Sequence, residues 1–270
     1  MIVSKIEGDR GCSVVTMTAS ERGLLANSHL VVGPTECVLV DGQFLSSEAE
    51  AAAAHIETVG KRLTAVYVTH GHPDHYFGTS VFRRRFPGVP ILALPQVIED
   101  IAVSFDAKRA FWLPTYGDEL PATLELPAPL EASMLTIDGM TLEVLPVGPA
   151  ESPHDTVCYL PALRVLLAGD LVYNGDHGWL GEQRTDEWID KLIWLAERFR
   201  EAAHVLPGHG ASGGTELFTS TTEYLEVFRD AVKEGGGLEA ARGRVLARYP
   251  DHGLPLFLDI SLQRWLASVV

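Results

Sequence analysis

The six residues LTAVYV (63–68) run directly into Thr69-His70-Gly71-His72-Pro73-Asp74-His75, and no other stretch limits the fold as much. The apolar run suits a strand buried on both faces. The loop after it packs three histidines and an aspartate into six residues. So many ionisable groups on one tight loop lose hydration or repel one another unless something neutralises them. A divalent cation does so, because histidine nitrogens and carboxylate oxygens are natural ligands for zinc and its borderline neighbours. The chain must cover both faces of this strand and leave the loop beyond it open, where rigid scaffolds carry their sites.

The surrounding pattern supplies such layers. SVVTMTA, HLVVG and ECVLVDG read as short strands, rich in β-branched residues and broken by Gly, Pro and Asn. Ser46 to Val59 reads as an Ala- and Glu-rich helix, and a further helix follows the histidine loop near YFGTSVFRRRF. VPILALP is a strand, MLTIDGMTLEVLPVG a hairpin turning at Asp138-Gly139, and VCYLPALRVLLAGDLVY a second strand pair. Asp186 to Phe199 is an amphipathic helix, HVLPGHG a strand, and the remainder is helical, ending in SLQRWLASVV. Residues 96–130 combine a helical stretch with a proline-rich one and read as an insertion, a lid or one wall of a cleft. No linker divides residues 1–270. Two sheets flanked by helices are the simplest packing of these elements.

A catalytic zinc takes about three protein ligands and keeps a position for water. His70, His72, Asp74 and His75 cannot easily all reach one ion from so short a loop, whereas two ions completed from elsewhere would use them all. Three further candidates sit in turn-rich loops beside apolar runs: His154 in ESPHDTV, Asp170 in LLAGDLVY and His209 in VLPGHG.

HxHxDH followed by a later His, Asp and His resembles the metallo-β-lactamase superfamily, with Asp41 of VLVDG matching its early supporting aspartate. The resemblance implies a four-layer αββα sandwich with two metals at one edge between the sheets. It assigns His70, His72 and His154 to the first metal, Asp74, His75 and His209 to the second, and Asp170 to both. Zinc is the default ion, with iron and manganese compatible with the same ligands. A hydroxide between the metals would attack an electrophilic centre, and Asp74 would orient it or carry its proton. Tyr173, three residues after Asp170, has two readings. In some lactone-cleaving members a tyrosine at that spacing contacts the substrate carbonyl oxygen; otherwise it packs at a strand end.

Composition narrows the class of partner. The net charge of −15 argues against nucleic acid and anionic membranes, which reward clustered cations. The three cysteines, 12, 37 and 158, form no disulfide framework or zinc motif and suit a reducing cytoplasm; no secretory leader is visible. Within the superfamily it resembles, aspartate at the bridging position fits the thioesterase, lactonase and phosphodiesterase branches, and the expected activity is hydrolysis of a small carboxylic ester, lactone or thioester. Hydrolysis of β-lactams is the alternative, and a mononuclear iron persulfide dioxygenase the reading outside hydrolysis. The expected partner is a small-molecule substrate. The apolar C-terminal helix leaves a homodimer open.

Overall fold

Alternation of apolar residues along the strands sets the architecture. The structure, a computed structural model, describes residues 1–268. The first sheet has seven strands in sequential order. They are β1 (Ile2–Glu7), β2 (Ser13–Thr18), β3 (Asn27–Val32), β4 (Glu36–Val40), β5 (Arg62–Tyr67), β6 (Ile91–Ala93) and β7 (Ala128–Pro129). Pairing is antiparallel from β1 to β4 and parallel from β4 to β7. The second sheet is ordered β12-β11-β10-β9-β8. Its strands are β8 (Met134–Ile137), β9 (Met140–Gly148), β10 (Asp155–Leu160), β11 (Val165–Asn174) and β12 (His204–Gly210), with only β11 and β12 parallel.

The two sheets face each other across one apolar layer. Val14, Val31, Val38, Val40 and Tyr67 of the first meet Ile137, Val144, Cys158, Leu167 and Leu206 of the second. The alternate residues, among them Val15, Leu30, Leu39 and Val66, turn to the outer face and bury helices. On that side α1 (Ser46–Val59) lies close because Ala49, Ala52 and Ala53 leave almost no side chain between it and the sheet. It is joined there by α2 (Pro73–Tyr76), α3 (Thr79–Arg85) and α4 (Pro95–Tyr116). The second sheet is flanked by α5 (Thr185–Arg198), α6 (Glu216–Lys233), α7 (Gly237–Arg248) and α8 (Pro255–Ser268). The result is two mixed sheets flanked by helices, the expected αββα order.

Several local expectations hold. The Asp138-Gly139 turn has positive φ at both residues, 49° and 82°, as a two-residue hairpin requires. Within residues 96–130, α4 buries Val97, Ile101 and Phe105 in the core and presents Ser104 and Lys108 to a cavity, which residues 113–130 do not line. The C-terminal segment packs on its own chain, burying Phe257, Leu258 and Leu262; Val269 and Val270 lie outside the described residues. Strand β1, an exposed edge, carried no signal in the sequence reading. No helix among the described residues is long and apolar enough to cross a membrane.

A histidine ties the two sheets together near the site. His29 on β3 donates from Nε2 to the Pro207 carbonyl on β12, 3.2 Å away, and accepts at Nδ1 from the Thr16 hydroxyl, 3.0 Å away. The neutral ring is fully bonded. Burial, opposed by the Pro207 contact, lowers its pKa to about 4. His29 therefore takes up its proton only below about pH 4 when folded, but below about pH 6.5 when unfolded. Its contribution is complete above pH 6.5 and is lost as pH falls towards 4. In that window it changes stability by about 1.4 kcal/mol per pH unit, on the order of 3 kcal/mol in all. Denaturant unfolding across this range, with chelator present, is expected to give a shallower pH dependence for His29→Gln than for the parent. Parallel curves would contradict this.

Candidate metal centre

Four chain segments deliver their polar side chains to the same edge between the sheets. The loop after β5 carries His70, His72, Asp74 and His75. The β9–β10 connection carries Glu151, while β11 and β12 carry Asp170 and His209. Two groups of potential ligand atoms result: His70, His72, Glu151 and Asp170, and Asp74, His75, Asp170 and His209. Within each group the atoms lie within 4.8 Å of one another, and Asp170 belongs to both. All seven residues are buried.

Local backbone features aim these groups. The β11–β12 register shifts on either side of Gly169, whose φ is +54°, and Asp170 follows this irregularity. A Cβ on Gly208 would lie 1.8 Å from Asp170 Oδ1, so only glycine fits beside that carboxylate. Asp41, just past β4, adopts a left-handed φ of 66° and points its carboxylate behind the histidine loop.

The hydrogen bonds behind the histidines fix which nitrogen faces inward. His75 Nδ1 donates to Asp41 Oδ2 at 2.9 Å. His209 Nδ1 donates to the Leu24 carbonyl at 2.8 Å. Thr69 donates its hydroxyl to Asp41 and so accepts from His70 Nδ1, 2.9 Å away. In all three rings the lone pair is thus on Nε2, and all three Nε2 atoms are buried without a hydrogen-bond partner. Asp74 Oδ2, Asp170 Oδ1 and both oxygens of Glu151 are equally unpartnered. Buried polar atoms are normally satisfied, and a convergent set of orphans marks room for a cation. The residues present fit two divalent metals.

The electrostatics agree. Burial by itself disfavours charge on these histidines, but Glu151 beside His72, 3.1 Å from Nδ1, pushes its pKa to about 10. Asp170 and Asp74, 3.3 and 3.1 Å from His209 Nε2, likewise overcome burial and raise that residue to about 10. Burial pushes Glu151 up to about 8 against the pull of His72. The pocket thus favours positive charge at several of its nitrogens; His75 and His209 in turn overcome burial and hold the Asp74 and Asp170 carboxyls below the usual range, so that Glu151 alone of the three acids is pushed up.

Six of the seven ligands read from the sequence are brought together, and His154 is not. Its ring is 41% exposed and pairs through Nδ1 with Asp100 of α4 at 2.9 Å. Glu151, three residues earlier, stands in the group instead. The reason is the turn between them: Asp155 accepts from the Ser152 amide and hydroxyl at 2.9 and 2.8 Å, which holds Glu151 inward and leaves His154 on the outer side. The sequence carries a signal for Glu151, an acid flanked by Ala150 and Ser152 between a strand end and the turn.

Tyr173 also differs from its catalytic reading. Its hydroxyl donates to Asp170 Oδ2 at 2.8 Å, and its ring stacks on His209 at 5.5 Å. It does not line the cavity, and its hydroxyl proton is directed at Asp170. Asp74 does line it. The cavity of about 320 Å³ opens beside His72, Asp74 and Asp170, with Trp112, Trp179 and Phe257 on its walls. His177 is buried and bonded to the Tyr224 hydroxyl, away from both ligand groups.

The sequence description of the metallo-beta-lactamase superfamily matches residues 22–233. A metallo-beta-lactamase type 2 of Bacteroides fragilis is 21% identical over 213 residues, spanning 77% of this chain and 78% of that protein. A linear primary-alkylsulfatase of Pseudomonas sp. (strain ATCC 19151) is 24% identical over 239 residues, spanning 75% of this chain but 44% of its own length. The solved metallo-beta-lactamase from Pontibacter korlensis superposes with a TM-score of 0.66 at 21% identity, covering 83% of this chain and 99% of that one; this likeness carries the fold. With the family match extending from the turn before β3 to the end of α6 and taking in every residue of both ligand groups, the chain belongs to the metallo-beta-lactamase superfamily of metal-dependent hydrolases.

Proposed function

We propose that the protein is a di-metal hydrolase of a small carboxylic ester, lactone or thioester. The observation that carries this reading is the convergence of unpartnered buried atoms from seven residues beside an apolar cavity. His70, His72, Glu151 and Asp170 would hold one ion, and Asp74, His75, His209 and Asp170 the other. When bound, such ions supply Lewis acidity and bring the pKa of a coordinated water towards neutrality.

The chain's own residues do the rest. Asp41 holds His75 directly and His70 through Thr69, so one carboxylate orients two ligands. Tyr173 holds Asp170. Asp74, at the cavity surface, is the carboxylate we assign to carrying the proton released on attack and returning it to the leaving group. The apolar walls exclude bulk water and cover the substrate body.

A β-lactam substrate is the second reading, supported by the metallo-beta-lactamases among the relatives; the alkylsulfatase relative adds a sulfate ester to the test. Zinc is our proposed ion.

Elemental analysis after dialysis is expected to find two metal equivalents per chain. Glu151→Gln is expected to lose one of them and His154→Ala to keep both; the reverse pattern would restore His154 as ligand. On a panel of lactone, thioester, phosphodiester, β-lactam and alkyl sulfate substrates, turnover is expected on the first two classes. Chelator, His72→Ala and Asp170→Ala are expected to abolish it, and Tyr173→Phe to reduce it about tenfold or more, as loss of a supporting partner does. Turnover retained by His72→Ala or Asp170→Ala would refute the reading, and faster hydrolysis of nitrocefin than of any ester would favour the β-lactam.

A further inference from the structure

The cavity wall carries two cations that the metal site does not need. Lys108 of α4 donates from Nζ to the carbonyl of Gly71 at 2.6 Å, directly over the loop between His70 and His72. This bond uses one of its three donors, and Lys108 makes no ion pair within 4.0 Å among the described residues. Arg264 of α8 lies with its guanidinium over Trp179 and Phe111, 5.0 and 5.9 Å from the ring centroids. It too lacks an ion pair among the described residues. Both line the cavity, as does a single further carboxylate outside the ligand groups, that of Glu182.

Charge balance shows what these cations are for. Three carboxylate ligands, Asp74, Glu151 and Asp170, against two divalent ions and neutral histidines leave one positive charge. Glu182 cancels it. Lys108 and Arg264 then give the loaded cavity a charge of about +2 with a neutral water between the metals and about +1 with hydroxide, in a chain whose formal net charge is −15. Neutralising the ligand carboxylates explains Lys108 only when the metals are absent. With them bound, Glu182 is the one carboxylate on the wall left to face both cations, and apart from Ser104 the rest of the wall is apolar, with Leu24, Trp112, Trp179 and Phe257 on it.

We propose that Lys108 and Arg264 are specificity-determining residues that select an amphiphilic substrate, a singly charged oxyanion joined to an apolar body. Lys108 holds the oxyanion beside the scissile bond. Arg264, with its guanidinium over Trp179, guards the mouth, and the aromatic walls cover the body. The inference rests on the metal-loaded site proposed above and adds the class of molecule that the site takes. Carboxylates and sulfate esters share this chemistry, and the test separates them.

Calorimetry of octanoate, octyl sulfate and octanol binding to the zinc-loaded protein decides it, with metal content checked for every variant. Both anions, or the one the site prefers, are expected to bind at least about tenfold more tightly than octanol. Lys108→Gln is expected to cost the anion about tenfold, the effect of one charge-assisted hydrogen bond, and octanol less than about twofold. Lys108→Arg should retain the anion's advantage. Arg264→Gln, at an exposed position, should weaken the anion by a smaller factor, and Glu182→Gln should strengthen it. Should Lys108→Gln not fold, the opposed effects of the Arg264 and Glu182 variants decide the matter. Octanol binding as tightly as the anions, or anion affinity unchanged in the Lys108 and Arg264 variants, would overturn the inference. Anion selectivity without hydrolysis of any panel substrate would leave this inference standing and remove the hydrolase reading. Hydrolysis without anion selectivity would do the opposite.

Discussion

A cluster of buried nitrogen and oxygen atoms with no partner of their own is the constraint on which the rest of the structure depends. Leaving such groups unpaired costs about 1–3 kcal/mol each, more where they are charged. Here seven residues from four segments contribute them at one point. Two shared cations are the simplest device that satisfies all of them at once. The surrounding fold then reads as support for that device: Asp41 in a left-handed conformation, Gly169 in an interrupted ladder and Gly208 where any side chain would strike Asp170.

The sandwich gives this centre its rigidity and its cleft. The central strands of both sheets are buried on both faces, so the loops at their shared edge are anchored by apolar strands that have no room to shift. Two helices distant in sequence, α4 and α8, both contribute walls to the cavity. The metal loop comes from the first sheet's side and Asp170 with His209 from the second, which is why the cleft lies between the layers and not above either. His29 and Asn27 of β3, both bonded to the Pro207 carbonyl, hold the two halves at that seam.

Much of this was legible because it rests on local chemistry. The THGHPDH loop after a buried strand, the Asp138-Gly139 turn and the Ala-rich helix from Ser46 to Val59 each specify themselves through short-range pattern, and the structure places them as expected. Asp170 and His209 are legible for the same reason, as polar residues following apolar runs, although they lie within β11 and β12 where the ladder is interrupted and not in loops beyond them. The placement of His154 outside the cluster has a different origin. Which of two neighbouring residues points inward depends on the Ser152–Asp155 bonds that shape the turn, and a ligand-type preference cannot see that geometry. Tyr173 was noticed, but its role depended on whether its hydroxyl met substrate or Asp170, a matter of a few ångströms. Lys108 and Arg264 were invisible as a pair: they lie 156 positions apart and meet only because two helices cover one cavity. The exposed strand β1 lacks a buried face and so gave no amphipathic pattern of the usual kind.

The account turns on which atoms surround the metals. Anomalous diffraction from a crystal of the zinc-loaded protein tests this most directly. It predicts two zinc peaks joined by the Asp170 carboxylate, with Glu151 beside the one held by His70 and His72, and with His154 still turned towards Asp100. A single peak, or His154 bound in place of Glu151, would contradict it.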